Sequence, residues 1–461
     1  MKKKRNGIME TTQAAKKQKI QLSDRFSYAR LLRFVLPSVA MMIFTSIYCV
    51  VDGLFVSNVV GKTEFAALNL IFPLIMILGA VGFMIGTGGT AIVAKTFGLG
   101  DKKLANEYFS LLVYVTIVAG AVLSALGILL ARPVAELLGA EGEMLQCCVK
   151  YASTVLLALP FFMLQNVFQS FCITAEKPKL GLFIIIGAGV ANMILDALFI
   201  LVFKWGLVGA AAATASSQFI GGAAPLVYFA RKNSSTLRLG KTHFYPKMLI
   251  HTCLNGSSEL MNNISSSIVT IFYNYQLMRF AGEDGIAAYG VIMYVAFVFV
   301  AIFIGFVIGA SPVVSFHYGA NNTDELHSLF KKSLVIVGTA GVLMTASAII
   351  LSAPLSRLFV GYDSALCEMT KHGFRIFAIS YLFAGINIFG SAFFTALNNG
   401  VISAVISFLR TLVFQCSTVL LLPMIFREPL DGVWYSIIVA EALALAVTVT
   451  LLAVKRKSYK Y

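Results

Sequence analysis

Charge is scarce in this chain, and so are the residues that build chemical centres. Asp, Glu, Lys and Arg make up only 12% of the 461 residues, while 58% are hydrophobic and mean hydropathy is +0.84; soluble domains carry about 25% charged residues. The seven cysteines (Cys49, Cys147, Cys148, Cys172, Cys253, Cys367, Cys416) are odd in number, and no C-x-x-C pair or Cys/His metal spacing occurs. Neither a disulfide framework nor a zinc site is supported. There is no G-x-x-x-x-G-K-[ST] loop and no soluble stretch that could hold nucleotide, which disfavours ATP-driven work. With only five histidines and no evident Ser-His-Asp arrangement, neither an enzyme nor a bound cofactor is expected. No filter-like loop appears, which argues against a channel.

What the chain has instead is long apolar runs, each able to cross a hydrocarbon core about 30 Å thick. Twelve occur, at approximately 31–57, 65–95, 108–130, 145–174, 180–203, 206–230, 248–279, 286–316, 331–352, 369–396, 401–426 and 432–454. The fold class expected is an all-α integral membrane protein. The net charge of +15 could suggest nucleic acid, but its distribution argues otherwise. With sides alternating at each span, 26 Lys and Arg fall in or beside the N-terminal tail, the even-numbered loops and the C-terminus, against six in the odd-numbered loops. That is the positive-inside pattern, with both termini cytoplasmic. Residues 1–30 lack the short h-region and cleavage site of a signal peptide. They are read as a disordered, basic cytoplasmic tail that anchors topology, with binding to anionic membrane lipid an open alternative.

Residues 86–175 repeat without a gap 221 positions later: Gly88 matches Gly309, Gly98 matches Gly319, Phe109 matches Phe330, Pro133 matches Pro354, Asn166 matches Asn387 and Ser170 matches Ser391. Gly61 falls on Gly282 at the same offset. The longest polar interruption, 231–247, separates an N-terminal lobe at 31–230 from a C-terminal lobe at 248–455, with a short tail at 456–461. Six spans per copy make the repeat parallel, related by a pseudo-twofold axis along the membrane normal. Such a pair of bundles encloses a cavity that can face either side in turn, the architecture of a carrier. Several spans contain proline, and Pro37 shares span one with Asp52, where it could let that helix bend or straighten.

Four acids lie well inside spans: Asp52, Asp196, Glu259 and Glu441. An ionised carboxylate there costs roughly 2.5–3.5 kcal/mol on insertion scales, so a function is the default reading. Asp52, Asp196 and Thr214 each lie about eight residues from the outer end of spans one, five and six, roughly 12 Å deep at about 1.5 Å per residue. Asn192 precedes Asp196 by one turn on the same face. Together these could bind Na⁺ through oxygen or share a proton. Glu259 sits in a polar stretch of span seven with Asn262 and Asn263, which suits a wet cavity more than a helix interface. Asn166 and Asn387, with Gln165 and Gln169, could line that cavity or act as packing glue. Glu441 could be an interhelical tie, and Arg410 in span eleven a structural partner for a carboxylate or a helix end.

The stretches YCVVDGLFVSNVVG (48–61), NMILDALFIL (192–201), GAAAATASSQ (209–218), AKTFGLGDKKLA (94–105) and PVVSFHYGANN (312–322) resemble the multidrug and toxic compound extrusion (MATE) family, in its MepA-like bacterial branch. That resemblance covers about residues 25–455. It implies a V-shaped pair of six-helix bundles in a bacterial inner membrane. It also implies antiport of bulky, amphipathic, often cationic drugs against H⁺ or Na⁺, by a protein expected to act as a monomer. The cation-coupling residues it implies are Asp52, Asn192, Asp196 and Thr214, with Pro37 as the conformational hinge and Glu259 as the acid of helix seven. The helix-ten aspartate of another branch has no acidic counterpart, Asn387 standing nearest, so coupling is expected in the N-terminal lobe. Two rivals remain: a lipid-linked oligosaccharide flippase, which would want basic residues in the cavity to hold pyrophosphate, and a non-transporting membrane receptor or scaffold.

Overall fold

The computed structural model describes residues 20–55, 60 and 62–461, and every regular element among them is a helix. The first half comprises α1 (Tyr28–Phe55), α2 (Lys62–Gly98), α3 (Lys102–Leu137), α4 (Gly142–Leu157), α5 (Leu159–Thr174), α6 (Pro178–Asp196) and α7 (Gly206–Ala230). The second comprises α8 (Pro246–Gly319), α9 (Thr323–Val360), α10 (Ser364–Ile379), α11 (Tyr381–Ala396), α12 (Gly400–Phe408), α13 (Gln415–Ile425) and α14 (Pro429–Tyr459). A π-turn at Ala197–Val202 extends α6, and another at Leu409–Phe414 joins α12 to α13.

Several of these helices are parts of one span. α4 and α5 meet at a 53° bend, and α10 and α11 at 46°, the same place in each half. Pro160, at the start of α5, cannot donate to the preceding turn, so it opens a new helix at no cost in hydrogen bonds. The 74 residues of α8 would extend about 110 Å as one rod. The helix instead breaks at Gly282, whose φ of 63° and ψ of −149° suit only glycine. Eight helices alone, or ten spans with the bent pairs joined, are long and apolar enough to cross a membrane among the described residues. Dividing α8 and adding the 25-residue α7 completes twelve spans in two six-span bundles. Gly61, the sequence partner of Gly282, lies outside the described residues.

The repeat is visible in local structure. Gly100 and Asn321, 221 residues apart, both take left-handed φ values, 89° and 52°. The residues after them, Asp101 and Asn322, both cap the next helix by accepting from the backbone N–H three positions on. Phe109 lies 6.4 Å from Phe168, and its equivalent Phe330 lies 6.2 Å from Phe389, the repeat mate of Phe168. Lipid tails are as apolar as these rings, so close fit holds them together more than exclusion of water does.

The halves meet where α8 lies along α2 and α1. A β-carbon on Gly98 would collide with the carbonyl of Phe316, and one on Gly319 with that of Lys95. Gly98 and Gly319 are 221 positions apart, as are Lys95 and Phe316, so this contact is self-complementary about the pseudo-twofold axis. Gly256 approaches the Met84 carbonyl just as closely, and Gly305 and Gly309 admit Val39 and Val35 of α1. These approaches lie toward the end of the bundle that carries the 231–247 linker and run up to Ser46, whose hydroxyl is 3.3 Å from the Phe297 carbonyl. At that end the linker is tied to α3: Asn106 accepts from the Arg238 N–H at 2.7 Å, and the Tyr245 hydroxyl donates to Glu107 at 2.6 Å.

The N-terminal tail departs from the expected disordered anchor over its described part. Residues 1–19 lie outside the described residues, but Leu22 and Phe26 are buried in the core of the second half. They are apolar, and they find a cleft to fill.

Candidate cation-coupling site

The first half gathers its acids. Asp52, in the last turn of α1, and Asp196, at the last turn of α6, bring their carboxyl groups close enough to interact electrostatically. Asp196 is fully buried and Asn192, one turn before it, nearly so. Both Asp196 oxygens, one Asp52 oxygen and the Thr214 hydroxyl of α7 are shielded from solvent without a hydrogen-bond partner in the protein. Neither acid forms an ion pair with Lys, Arg or His among the described residues. Two carboxylates in such proximity with no basic partner are balanced by a shared proton or by a cation held through oxygen. Two carboxylates, an amide and a hydroxyl suit a proton or a hard monovalent cation.

The π-turn that begins at Ala197 directly follows Asp196. A π-turn shifts the register of the backbone ladder, and such turns are frequent at functional sites. Pro37 sits inside α1, which remains one helix through it and carries Asp52 about four turns on.

Two residues absent from the sequence reading complete the surroundings. Tyr151 of α4 is buried, with its hydroxyl within electrostatic reach of both Asp52 and Asp196. Tyr48, one turn before Asp52, faces Cys49, Asp52 and the Gln165 carboxamide. Tyr151 carried a usable signal. It lies six residues into the span at 145–174, which re-enters from the outer side, roughly 9 Å deep and within one helical turn of the depth that linked the two acids.

The amides expected to line a cavity are dispersed. Gln165 and Gln169, on one face of α5, turn toward α1: the first reaches Tyr48, and the second donates to the Met42 sulfur at 3.1 Å. Asn166 is buried with its amide nitrogen unpartnered. Its repeat mate Asn387 is fully buried inside the second half, where it donates to the Glu441 carboxylate at 2.7 Å and to the Glu441 carbonyl at 2.9 Å. Arg410 completes that group, with a nitrogen 2.8 Å from Glu441. In α8, Asn263 donates to the Glu259 backbone carbonyl at 2.9 Å. The Asn262 oxygen is buried and unpartnered, and Glu259 forms no ion pair among the described residues.

A family model, MatE, matches the chain twice, over residues 37–198 and 260–419. The chain belongs to the MATE family. Each match covers one half of the repeat, and membership makes the protein a transporter, not an enzyme. The chain is similar to the multidrug export protein MepA of Staphylococcus saprophyticus, 23% identical over 420 residues and covering 90% of each chain. It is 22% identical over 423 residues to MepA of Staphylococcus aureus strain MRSA252, covering 90% of this chain and 91% of that one. Among solved structures it superposes with TM-score 0.90 on an outward-facing multidrug resistance MATE family transporter of the MOP superfamily. That match is 21% identical and covers 96% of this chain and 99% of the other.

Proposed function

We infer that this chain is a multidrug efflux transporter that exports amphipathic, often cationic compounds by exchange for H⁺ or Na⁺. The observation that carries the reading is the Asp52–Asp196 pair, mutually close, with Asp196 fully buried and neither acid paired with a base among the described residues, within a two-lobed carrier. Loading this pair with a proton or a monovalent cation halves its charge, relieves the repulsion between the two carboxylates and favours one packing of the first lobe. Releasing the ion restores the repulsion and favours the other. Asn192 and Thr214 supply further oxygen to the same ion, and Tyr151 offers a hydroxyl to whichever carboxylate is ionised.

We place the lobes at 31–230 and 248–455 in a bacterial inner membrane, with both termini and the 231–247 linker cytoplasmic and the protein acting as a monomer. The glycine contacts at the linker end then close the cytoplasmic side, so the cleft faces outward. Glu259, on a polar face of α8 and without an ion-pair partner among the described residues, is the acid offered to a cationic drug. Pro37 supplies the place where α1 can bend as the ion moves. The flippase reading loses its main requirement, because Arg410, the basic residue deep in the second lobe, is already neutralised by Glu441. In cells lacking their own pumps, wild type is expected to lower ethidium retention while Asp52→Asn leaves it at the level of empty cells. Normal resistance in a well-expressed Asp52→Asn strain sinks the reading.

A further inference from the structure

The segment before α1 bridges the two lobes at the end where they touch. The Leu22 N–H donates to Glu176 Oε1 at 3.1 Å, in the turn between α5 and α6 of the first half. Four residues on, the Phe26 N–H donates to Glu325 Oε1 at 2.8 Å, in the first turn of α9 of the second half. The Phe26 carbonyl accepts from the Lys332 ammonium, and Lys332 is steadied by Ser328 at 2.6 Å. Beneath the segment lies the buried ring of His317, facing the backbone carbonyls of Leu22 and Asp24. His317 is flanked by Phe316 and Tyr318, the stretch of α8 that meets Gly98 and Lys95 of α2. Within the segment, Asp24 accepts from the Gln21 N–H at 3.0 Å and pairs with Arg30 at 3.0 Å, which fixes the turn.

This arrangement does not belong to the twofold scaffold. The position 221 after Glu176 is Leu397, and the position 221 before Glu325 is Leu104. Neither carboxylate has a repeat mate, so the bridge is made once per molecule. Both bonds join a charged acceptor to a backbone donor, the stronger class of hydrogen bond. Leu22 and Phe26 are four positions apart, a stretch of chain that can extend to at most about 14 Å. Separation of the lobes beyond that reach requires one bond to break and Leu22 or Phe26 to leave its place in the core.

We propose that residues Gln21–Phe26 are a strap that holds the linker end of the two lobes shut, so that opening toward that side requires release from Glu176 or Glu325. The proposal rests on the alternating-access reading above, and it adds a brake on one of the two half-cycles.

The test reads exposure of the closed contact, not export. Thr252 is buried, and its carbonyl packs where Gly88 meets α8. A single Thr252→Cys in a chain cleared of its seven native cysteines is labelled with fluorescein maleimide in inside-out vesicles. With the strap intact, labelling is expected to be slow. Glu176→Ala with Glu325→Ala is expected to raise the rate about tenfold, the effect of losing at least one charge-assisted hydrogen bond. If the alanines prevent membrane insertion, Glu176→Gln with Glu325→Gln preserves size while removing charge, and a rise of about threefold is expected. A rate unchanged in an inserted double variant, or a strap-intact rate already as fast as the variant's, overturns the proposal. Ethidium export by wild type is measured in parallel. Its absence defeats the antiport reading, whereas unchanged labelling in an exporting protein defeats the strap alone.

Discussion

Both halves of the molecule bury carboxylates inside the membrane, and they treat them in opposite ways. In the second half Glu441 is saturated: Arg410 faces it at 2.8 Å and Asn387 donates to it at 2.7 Å, so charge and lone pairs are met by protein. In the first half Asp52 and Asp196 meet each other, and three of their oxygens lack any partner. The contrast deepens at the repeat-equivalent position. Asp52 falls on Tyr273, which exchanges a 2.7 Å hydrogen bond with Ser436 and stacks on Tyr289 at 4.9 Å. Where one lobe holds two acids with unpartnered oxygens, the other holds a neutral, satisfied pair of hydroxyls. A buried ion pair ties helices together, whereas an unpaired acid pair must borrow its counter-charge. On the proposed reading, ion coupling belongs to the first lobe and the second supplies rigidity.

That contrast can be broken most sharply at Asp196. Asp196→Asn is expected to reduce gradient-driven export to background while the protein still inserts and elutes as a single species from size exclusion in detergent. An asparagine that exports normally removes the basis for distinguishing the lobes. The opposite pattern is expected at Glu441. Glu441→Ala strands the Arg410 charge and should cost about 3–5 kcal/mol of stability. Arg410→Met combined with Glu441→Gln should recover most of that loss and keep export, as read by thermal unfolding in detergent and by ethidium transport. Failure of the double variant to export while well folded would move coupling into the second lobe as well.

A smaller effect is expected at Glu259. Glu259→Gln should weaken binding of a monovalent cationic drug about tenfold, with binding of a neutral one unaltered; equal losses for both would make its role structural. The smallest expected change lies at a helix cap remote from either acid. Asp101→Ala removes the acceptor for the Leu104 N–H and should lower stability by about 1 kcal/mol without touching coupling. Its repeat mate Asn322→Ala should behave alike, which checks that the lobes share a scaffold and differ in their acids.

Much of this was legible in the chain. Length and apolarity gave the spans, the 221-residue offset gave the two copies, and equal depth singled out Asp52, Asp196 and Thr214. Depth says nothing of azimuth, which is why Gln165 and Gln169 could be placed near midplane but not turned toward α1. The pairing of Asn387 with Glu441, 54 residues away on another span, depends on how α11 and α14 pack, and no local pattern encodes that. A lone tyrosine in an apolar span looks like core until the acids beside it are located, which hides Tyr151. The lysines of the tail suggest an anchor, whereas Leu22 and Phe26 decide where its described part goes.

The most direct measurement is ethidium movement in vesicles under an imposed Na⁺ or pH gradient, comparing wild type, Asp196→Asn, and Arg410→Met with Glu441→Gln. Gradient-dependent transport in wild type and in the second-lobe double variant, absent in Asp196→Asn, is the predicted result and identifies the ion. Transport that survives in Asp196→Asn, or that depends on neither gradient, contradicts the account.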